Sequence, residues 1–327
     1  MDKILIIRFS SIGDIVLTTP VIRALYKLPE RPEIHFITKR KYASTLQHNP
    51  YISKLYTFEK EITELVSDLK SENYTYIIDL HSNLRSKRLK LLLGNRSKSF
   101  HKLNIKKWVR VKLKYDLLPK KHIVQRYMDT VGFLDAKNDD LGLDYFVTEQ
   151  DQNTAASFMT KFPEGYHVFV IGGAHFTKQI PSEMLINIAK SSRLPIILIG
   201  GPEDYEKGVF IQDSVGKSLV NTCGKYNLNE SAAIIKACQK VLTSDTGMMH
   251  IASAFRKEII SLWGNTIPEF GMYPYFPKAD ASKNKIFEVK NLKCRPCSKI
   301  GYKECPKKHF NCMLHIDIQQ VIHTLNS

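Results

Sequence analysis

Four consecutive aliphatic residues, Ile4-Leu5-Ile6-Ile7, run without interruption into Arg8-Phe9-Ser10-Ser11-Ile12-Gly13-Asp14, and an amphipathic segment from Ile15 to Leu25 follows at once. So short an apolar run fits a parallel strand buried on both faces, and the order strand, tight turn, helix start is that of an open α/β sheet. Such sheets bind ligands at the carboxyl ends of their strands, so Asp14 is expected where chemistry is done. Ser10, Ser11 and Asp14 also read as ordinary caps, because Ser and Asp satisfy the free N–H groups of a helix start. Gly13 is the only glycine in the turn, which excludes the dinucleotide fingerprint G-x-G-x-x-G. Gly216-Lys217-Ser218 resembles the end of a P-loop, but Ile211 stands where its first glycine belongs.

The rhythm repeats along the chain. Strand-like segments at 3–9, 33–38 and 76–80 alternate with helix-like segments at 15–27, 42–48 and 60–71, a pattern that predicts a doubly wound parallel sheet. A polar stretch near 135–153 interrupts it, after which strands resume at 167–171, 195–199 and 240–244. The reading is two α/β domains, 1–155 and 156–327, with the cleft between them as the ligand site. A length of 327 residues accommodates two domains of the usual ~100–200. No apolar run approaches the ~18 residues of a membrane span, and the chain enters a strand without a signal-peptide pattern, so a cytoplasmic protein is expected. Six cysteines, four of them between 294 and 312, suit a reducing compartment better than a disulfide framework.

The net charge of +16 is concentrated. Between Arg85 and Arg126 fifteen Lys and Arg residues face one acid, Asp116, with Phe100, Trp108 and Tyr115 interleaved. A solvated face would need only the charge, whereas aromatics among the charges suit an anionic membrane surface or a nucleic acid. No nucleic-acid motif accompanies the patch, so a phosphorylated lipid headgroup ranks above DNA or RNA.

Three further loops fall at predicted strand ends. Gly172-Gly173-Ala174-His175-Phe176-Thr177-Lys178 lets backbone amides approach an anion while Lys178 adds a point charge. Gly200-Gly201-Pro202-Glu203-Asp204 offers an acidic pair to ribose hydroxyls. In Ser244-Asp245-Thr246-Gly247-Met248-Met249-His250 a helix start presents the Thr246 and Gly247 amides to a phosphate, with Asp245 and His250 beside the group it carries. Each alone could be an ordinary turn; three on one sheet edge agree with one another.

Taken with I-L-I-I-R-F-S-S-I-G-D-I-V-L-T-T-P at 4–20 and D-L-H-S-N-L-R-S at 79–86, these loops resemble the glycosyltransferase family 9 heptosyltransferases of the lipopolysaccharide inner core. The resemblance implies a GT-B fold, two Rossmann-like doubly wound domains facing a central cleft. It implies inverting transfer from ADP-heptose to an anionic lipopolysaccharide precursor at the cytoplasmic face of the inner membrane, with the enzyme peripheral there. Asp14 matches the general base and Lys178 the diphosphate-binding lysine. Gly173, Ala174, Asp245, Thr246, Gly247 and His250 match the donor turns, Tyr226 the adenine-packing loop, and Glu203 or Asp204 the ribose-binding acid. Ser11, Gly13, His81, Arg85 and Lys87 would meet the acceptor. Gly173 and Ala174 replace the family's usual hydroxyl residues, and Ile180 replaces a common Trp. No D-x-D metal motif follows the main strands, so no cofactor is required for transfer, a structural zinc aside; without a nucleic-acid motif beside the basic patch, no nucleic acid is expected.

Cys294-x2-Cys297-x7-Cys305-x6-Cys312, with His309 inside it, starts like a structural zinc site but continues with unequal spacing. Residues 313–325 read as a terminal helix. Two rival classes remain at this point. A GT-B sugar-nucleotide epimerase would share the donor loops but needs acids or bases on the sugar ring. A non-enzymatic anionic-lipid or nucleic-acid binder would leave Asp14 and the 244–250 turn without a task.

Overall fold

The computed structural model describes residues 2–327. The chain forms β1 (Lys3–Ile7), α1 (Ile12–Val16), α2 (Thr19–Tyr26), β2 (Glu33–Lys39), β3 (Lys54–Phe58), α3 (Val66–Ser71), β4 (Tyr76–Asp79), α4 (Leu84–Leu93) and β5 (Ser97–Ser99). After α5 (Asn104–Lys112), α6 (Ile123–Met128) and α7 (Glu149–Lys161) come β6 (His167–Val170), α8 (Ser182–Lys190), β7 (Ile196–Ile199), α9 (Tyr205–Val215), β8 (Leu219–Asn221) and α10 (Leu228–Ala237). The remainder is β9 (Lys240–Ser244), α11 (Gly247–Ala254), β10 (Glu258–Trp263), β11 (Asn284–Glu288), α12 (Asn311–Leu314) and α13 (Ile318–Asn326).

Two compact units result. The first joins the chain up to Leu103 to Lys121–Phe146; the second joins Asn104–Lys120 to Val147–Ser327. Each is built on one parallel sheet, ordered β3-β2-β1-β4-β5 in the first and β11-β10-β9-β6-β7-β8 in the second. The strands stand where the apolar runs place them, and the reason is burial on both faces. In β6, Phe169 packs into one apolar cluster and Val168 and Val170 into the other; in β7, Ile196 and Leu198 face the first and Ile197 and Ile199 the second. Chain direction across the sheet reverses between β1 and β4 in the first unit and between β6 and β9 in the second, which makes those two gaps the switch points where ligands bind.

The expected helix over 15–27 is two helices. Pro20 lacks an N–H, and the hydroxyls of Thr18 and Thr19 donate instead to the carbonyls of Ile15 at 2.6 Å and Val16 at 2.8 Å. The segment 42–48 is a 3-10 turn at Arg40–Thr45, where Ser44 and Thr45 are weak helix formers. The terminal helix is also divided, because Asp317 accepts from the amides of Gln319 and Gln320 and so starts α13 afresh. Among the described residues no helix is long and apolar enough to cross a membrane.

Arg23 is the largest charged side chain sealed in the first unit. Its guanidinium donates to both carboxylate oxygens of Asp139, at 2.8 and 2.7 Å, and to the Gly142 carbonyl at 2.8 Å, and it pairs with Asp144. Lys27 adds a 2.7 Å bridge to Asp139. The clasp ties α2 to the 139–144 segment. Arg23→Met is expected to cost about 2–4 kcal/mol of stability, because it leaves two partly buried carboxylates without their cation. Chemical denaturation measures it, with Arg23→Met/Asp139→Asn/Asp144→Asn as the compensated variant; equal stability of Arg23→Met and the native chain would show that the clasp does not stabilise the fold.

Candidate active site

In the first unit the turn after β1 is organised by Arg8. Its guanidinium donates to the carbonyls of Ser10 and Leu80, each at 2.7 Å, and pairs with Asp14 Oδ1 at 2.7 Å. Arg8 is thereby fixed to both strands that flank the switch point. Asp14 Oδ2 accepts from the Ser11 hydroxyl at 2.9 Å and lies 3.4 Å from the Ser11 amide, so Asp14 also braces the start of α1 as a cap would. Ser11 is exposed and Gly13 buried. Sequence reasoning missed Arg8; the signal was a charged residue directly after four aliphatic ones, where burial forces it to find partners.

The turn after β4 faces the same gap. Asp79, fully buried, accepts from the amides of His81 at 3.0 Å and Ser82 at 2.7 Å and from the Ser86 hydroxyl at 2.8 Å. Asn83 accepts from the Ser86 amide at 2.8 Å and caps α4. These bonds place His81 and Arg85 on a cavity of about 400 Å³, lined also by Phe9, Ser10, Lys39, Asn83 and Leu84. Lys39 is a further cation that sequence reasoning passed over. Lys87 is exposed on α4, outside that lining. The His81 ring packs on Phe9, 4.9 Å between centroids, and its buried Nδ1 has no hydrogen-bond partner among the described residues.

Burial, with Arg8 and Lys102 adding, pushes the His81 imidazole down to about 4. Burial, with Lys240 adding, does the same to His167 in β6. Each ring takes up its proton near 6.5 in the unfolded chain, so between 6.5 and 4 the unfolded state binds more protons. Stability is then fully present above pH 6.5 and is lost as pH falls toward 4, by about 2 kcal/mol for His167 at pH 5. Denaturation midpoints of the native chain and His167→Gln at pH 7 and pH 5 test this; the variant should lose less on acidification.

In the second unit the loop after β6 and the turn after β9 meet at the other switch point. Lys178 Nζ lies 2.6 Å from Asp245 Oδ2, which also accepts from the Thr266 hydroxyl at 3.0 Å. Thr246 caps α11 by accepting from the Met249 amide at 3.3 Å, which leaves Gly247 in the first turn, whose amides have no intrahelical acceptor. His250 is buried in α11. Gly173 accepts from the Gln179 side chain at 3.0 Å, while Ala174 is exposed beside it.

Two supports of this loop were not legible in the sequence. Lys207 on α9 donates to the carbonyls of Ile171 and Ile180, the two ends of the loop, at 3.4 and 3.0 Å. The cysteine-rich segment clamps it from the other side: the Thr177 amide donates to the Tyr302 carbonyl at 3.2 Å, and the Tyr302 amide donates to the Thr177 hydroxyl at 2.8 Å. Arg295 in the same segment donates to the carbonyls of Gly264 at 2.7 Å and Thr266 at 2.9 Å, next to the Asp245 partner.

The acidic pair separates. Asp204 is buried, its carboxyl raised by burial, and it accepts from the Gly201 amide at 2.9 Å. A side chain at Gly172 would come within 2.4 Å of it. Glu203 is exposed. Tyr226 is half-buried against Phe158, 6.1 Å between centroids. Cys294, Cys297, Cys305 and Cys312 are free thiols. Cys294 Sγ lies 3.9 Å from His309 Nε2. Burial, with the other three thiols adding, pushes Cys312 up to about 12. Among the described residues no three His, Cys, Asp or Glu side chains form a group that could hold a metal ion.

Residues 62–307 match the model of glycosyltransferase family 9 (heptosyltransferase). The chain is 24% identical over 290 residues to lipopolysaccharide heptosyltransferase 1 of Campylobacter coli, covering 81% of this chain and 84% of that one. In fold it is similar to the glycosyl transferase family 9 protein of Veillonella parvula, with a TM-score of 0.79 and 21% identity over 99% of this chain and 98% of that one. It is also similar to the E. coli ADP-heptose lipopolysaccharide heptosyltransferase II, with a TM-score of 0.75 and 19% identity over 99% and 97%. The fold is therefore GT-B, and the chain belongs to glycosyltransferase family 9, the heptosyltransferases of lipopolysaccharide biosynthesis.

Proposed function

We propose that the protein transfers a heptose from ADP-heptose to an inner-core sugar of a lipopolysaccharide precursor with inversion, and that Asp14 is the general base. The observation that carries this is the pairing of chemistry with topology. One switch point holds a carboxylate paired with a fixed arginine; the other holds a lysine beside a helix start. Those are the two halves of a group transfer from a phosphorylated donor.

In the reaction the Asp14 carboxylate takes the proton of the acceptor hydroxyl as its oxygen attacks the anomeric carbon. The bond from that carbon to the diphosphate oxygen breaks with its electron pair, and ADP leaves. The diphosphate draws Lys178 from Asp245 and meets the first amides of α11, which spread the departing charge without a metal. Asp245, held by Thr266, is then free to orient the sugar. Glu203 is the acid of its pair that faces solvent and would receive the ribose, with Tyr226 by the adenine. On the acceptor side Lys39 and Arg85 suit phosphate or carboxylate groups, and the neutral His81 ring suits a sugar hydroxyl.

The test is incubation of the purified protein with ADP-heptose and a heptose-deficient core lipid, without added metal. One added heptose by mass and a product anomer opposite to the donor by NMR are expected. Transfer from UDP-sugars alone, or retained configuration, would defeat the donor or the stereochemical assignment.

A further inference from the structure

The segment Asn104–Lys120 leaves the first unit in sequence and packs on the second, and two lysines fasten it there. Lys114 donates to the carbonyls of Pro296 at 2.7 Å and Cys294 at 3.3 Å, and Lys107 lies over the Phe270 ring, 5.3 Å from its centroid. The segment also carries exposed apolar bulk. Ile105 is 80% exposed and Trp108, one turn on, 55%; Leu113, Tyr115 and Leu117 follow at 55%, 72% and 55%. Single exposed apolar residues are ordinary, but five large ones within thirteen positions of one segment are not. Lys106, Lys112 and Lys120 stand among them against a single acid, Asp116.

We propose that this segment seats the enzyme on an anionic phospholipid bilayer, with Ile105, Trp108, Leu113, Tyr115 and Leu117 in the interface and the lysines over the headgroups. Cationic charge and apolar bulk on one short amphipathic segment match such a surface in both respects. A nucleic acid would be met by charge and aromatic stacking, which gives the aliphatic residues no role. The proposal rests on the reading that the acceptor is lipid-borne, and it goes further by assigning the surface that reaches the lipid.

The chain supplies its own reporter. Of its two tryptophans, Trp263 is 1% exposed in the core and Trp108 is on the proposed face, so a change of emission on adding vesicles reports Trp108. Vesicles of phosphatidylglycerol and phosphatidylethanolamine should shift the emission to shorter wavelength and carry the protein in flotation, whereas pure phosphatidylcholine should bind at least about tenfold more weakly. Ile105→Asp/Tyr115→Asp should weaken anionic-vesicle binding by about tenfold or more. The same variant should lose heptose transfer to a vesicle-borne acceptor while keeping transfer to a water-soluble core saccharide. Unchanged emission, vesicle binding unaffected by the double substitution, equal loss on both acceptors, or retention on single-stranded RNA in preference to vesicles would each overturn the proposal. If the native protein moved no sugar to any acceptor, the transferase reading would fail, while emission and flotation would still decide the membrane face.

Discussion

Asp14→Asn is expected to lower turnover by about a thousandfold while leaving the affinity for ADP-heptose within a factor of about two. The amide fills the same space and can still accept from Ser11, so the α1 start should survive, but it cannot take a proton from the acceptor. Isothermal titration with the donor and a single-turnover transfer assay separate binding from chemistry. Near-native turnover would remove Asp14 from the mechanism. The companion variant tests the partner. Arg8 is pinned by the Ser10 and Leu80 carbonyls as well as by the carboxylate, so it stays beside Asp14 without having to move. Arg8→Met should raise the acidic limb of the kcat/KM profile by about one pH unit or more, since the carboxylate loses its closest cation. A lowered but unshifted profile would make Arg8 a support of the turn only.

Lys178→Ala is expected to lower kcat/KM by about a hundredfold to a thousandfold, with much of the loss in kcat. The diphosphate carries more charge as it departs than when bound, so a cation aimed at it contributes most in the transition state. Lys178→Arg should recover only part, because the planar fork does not reproduce a compact ammonium wedged between Asp245 and the donor. A rise in KM alone would show that Lys178 binds the donor without assisting its cleavage.

The strands and the loops at their ends were legible because both are periodic or local signals: an apolar run of four or five, then small or polar residues. Asp14, Lys178 and the 244–250 turn follow from that pattern. Arg8, Asp79 and Lys207 do not, since a pattern shows a charged residue near an apolar run but not the backbone carbonyls or amides that a buried charge will find. Glu203 and Asp204 are adjacent and alike in sequence; only the packing of Asp204 against Gly172 and Gly200 separates them. The displacement of 104–120 onto the second unit was hidden for a similar reason. Its contacts are with Phe270 and the 294–296 loop, far along the chain, and no local preference encodes them.

The Arg23 clasp bears on synthesis at the ribosome. The arginine on α2 is translated well over a hundred residues before Asp139 and Asp144, its counter-ions. Until they emerge, the growing chain holds a cation that the finished unit buries, in a site that cannot close without desolvating it. The first sheet can pair early, but its last seal waits for the 139–144 segment. Chaperone capture is accordingly expected in the interval between release of α2 and arrival of Asp144.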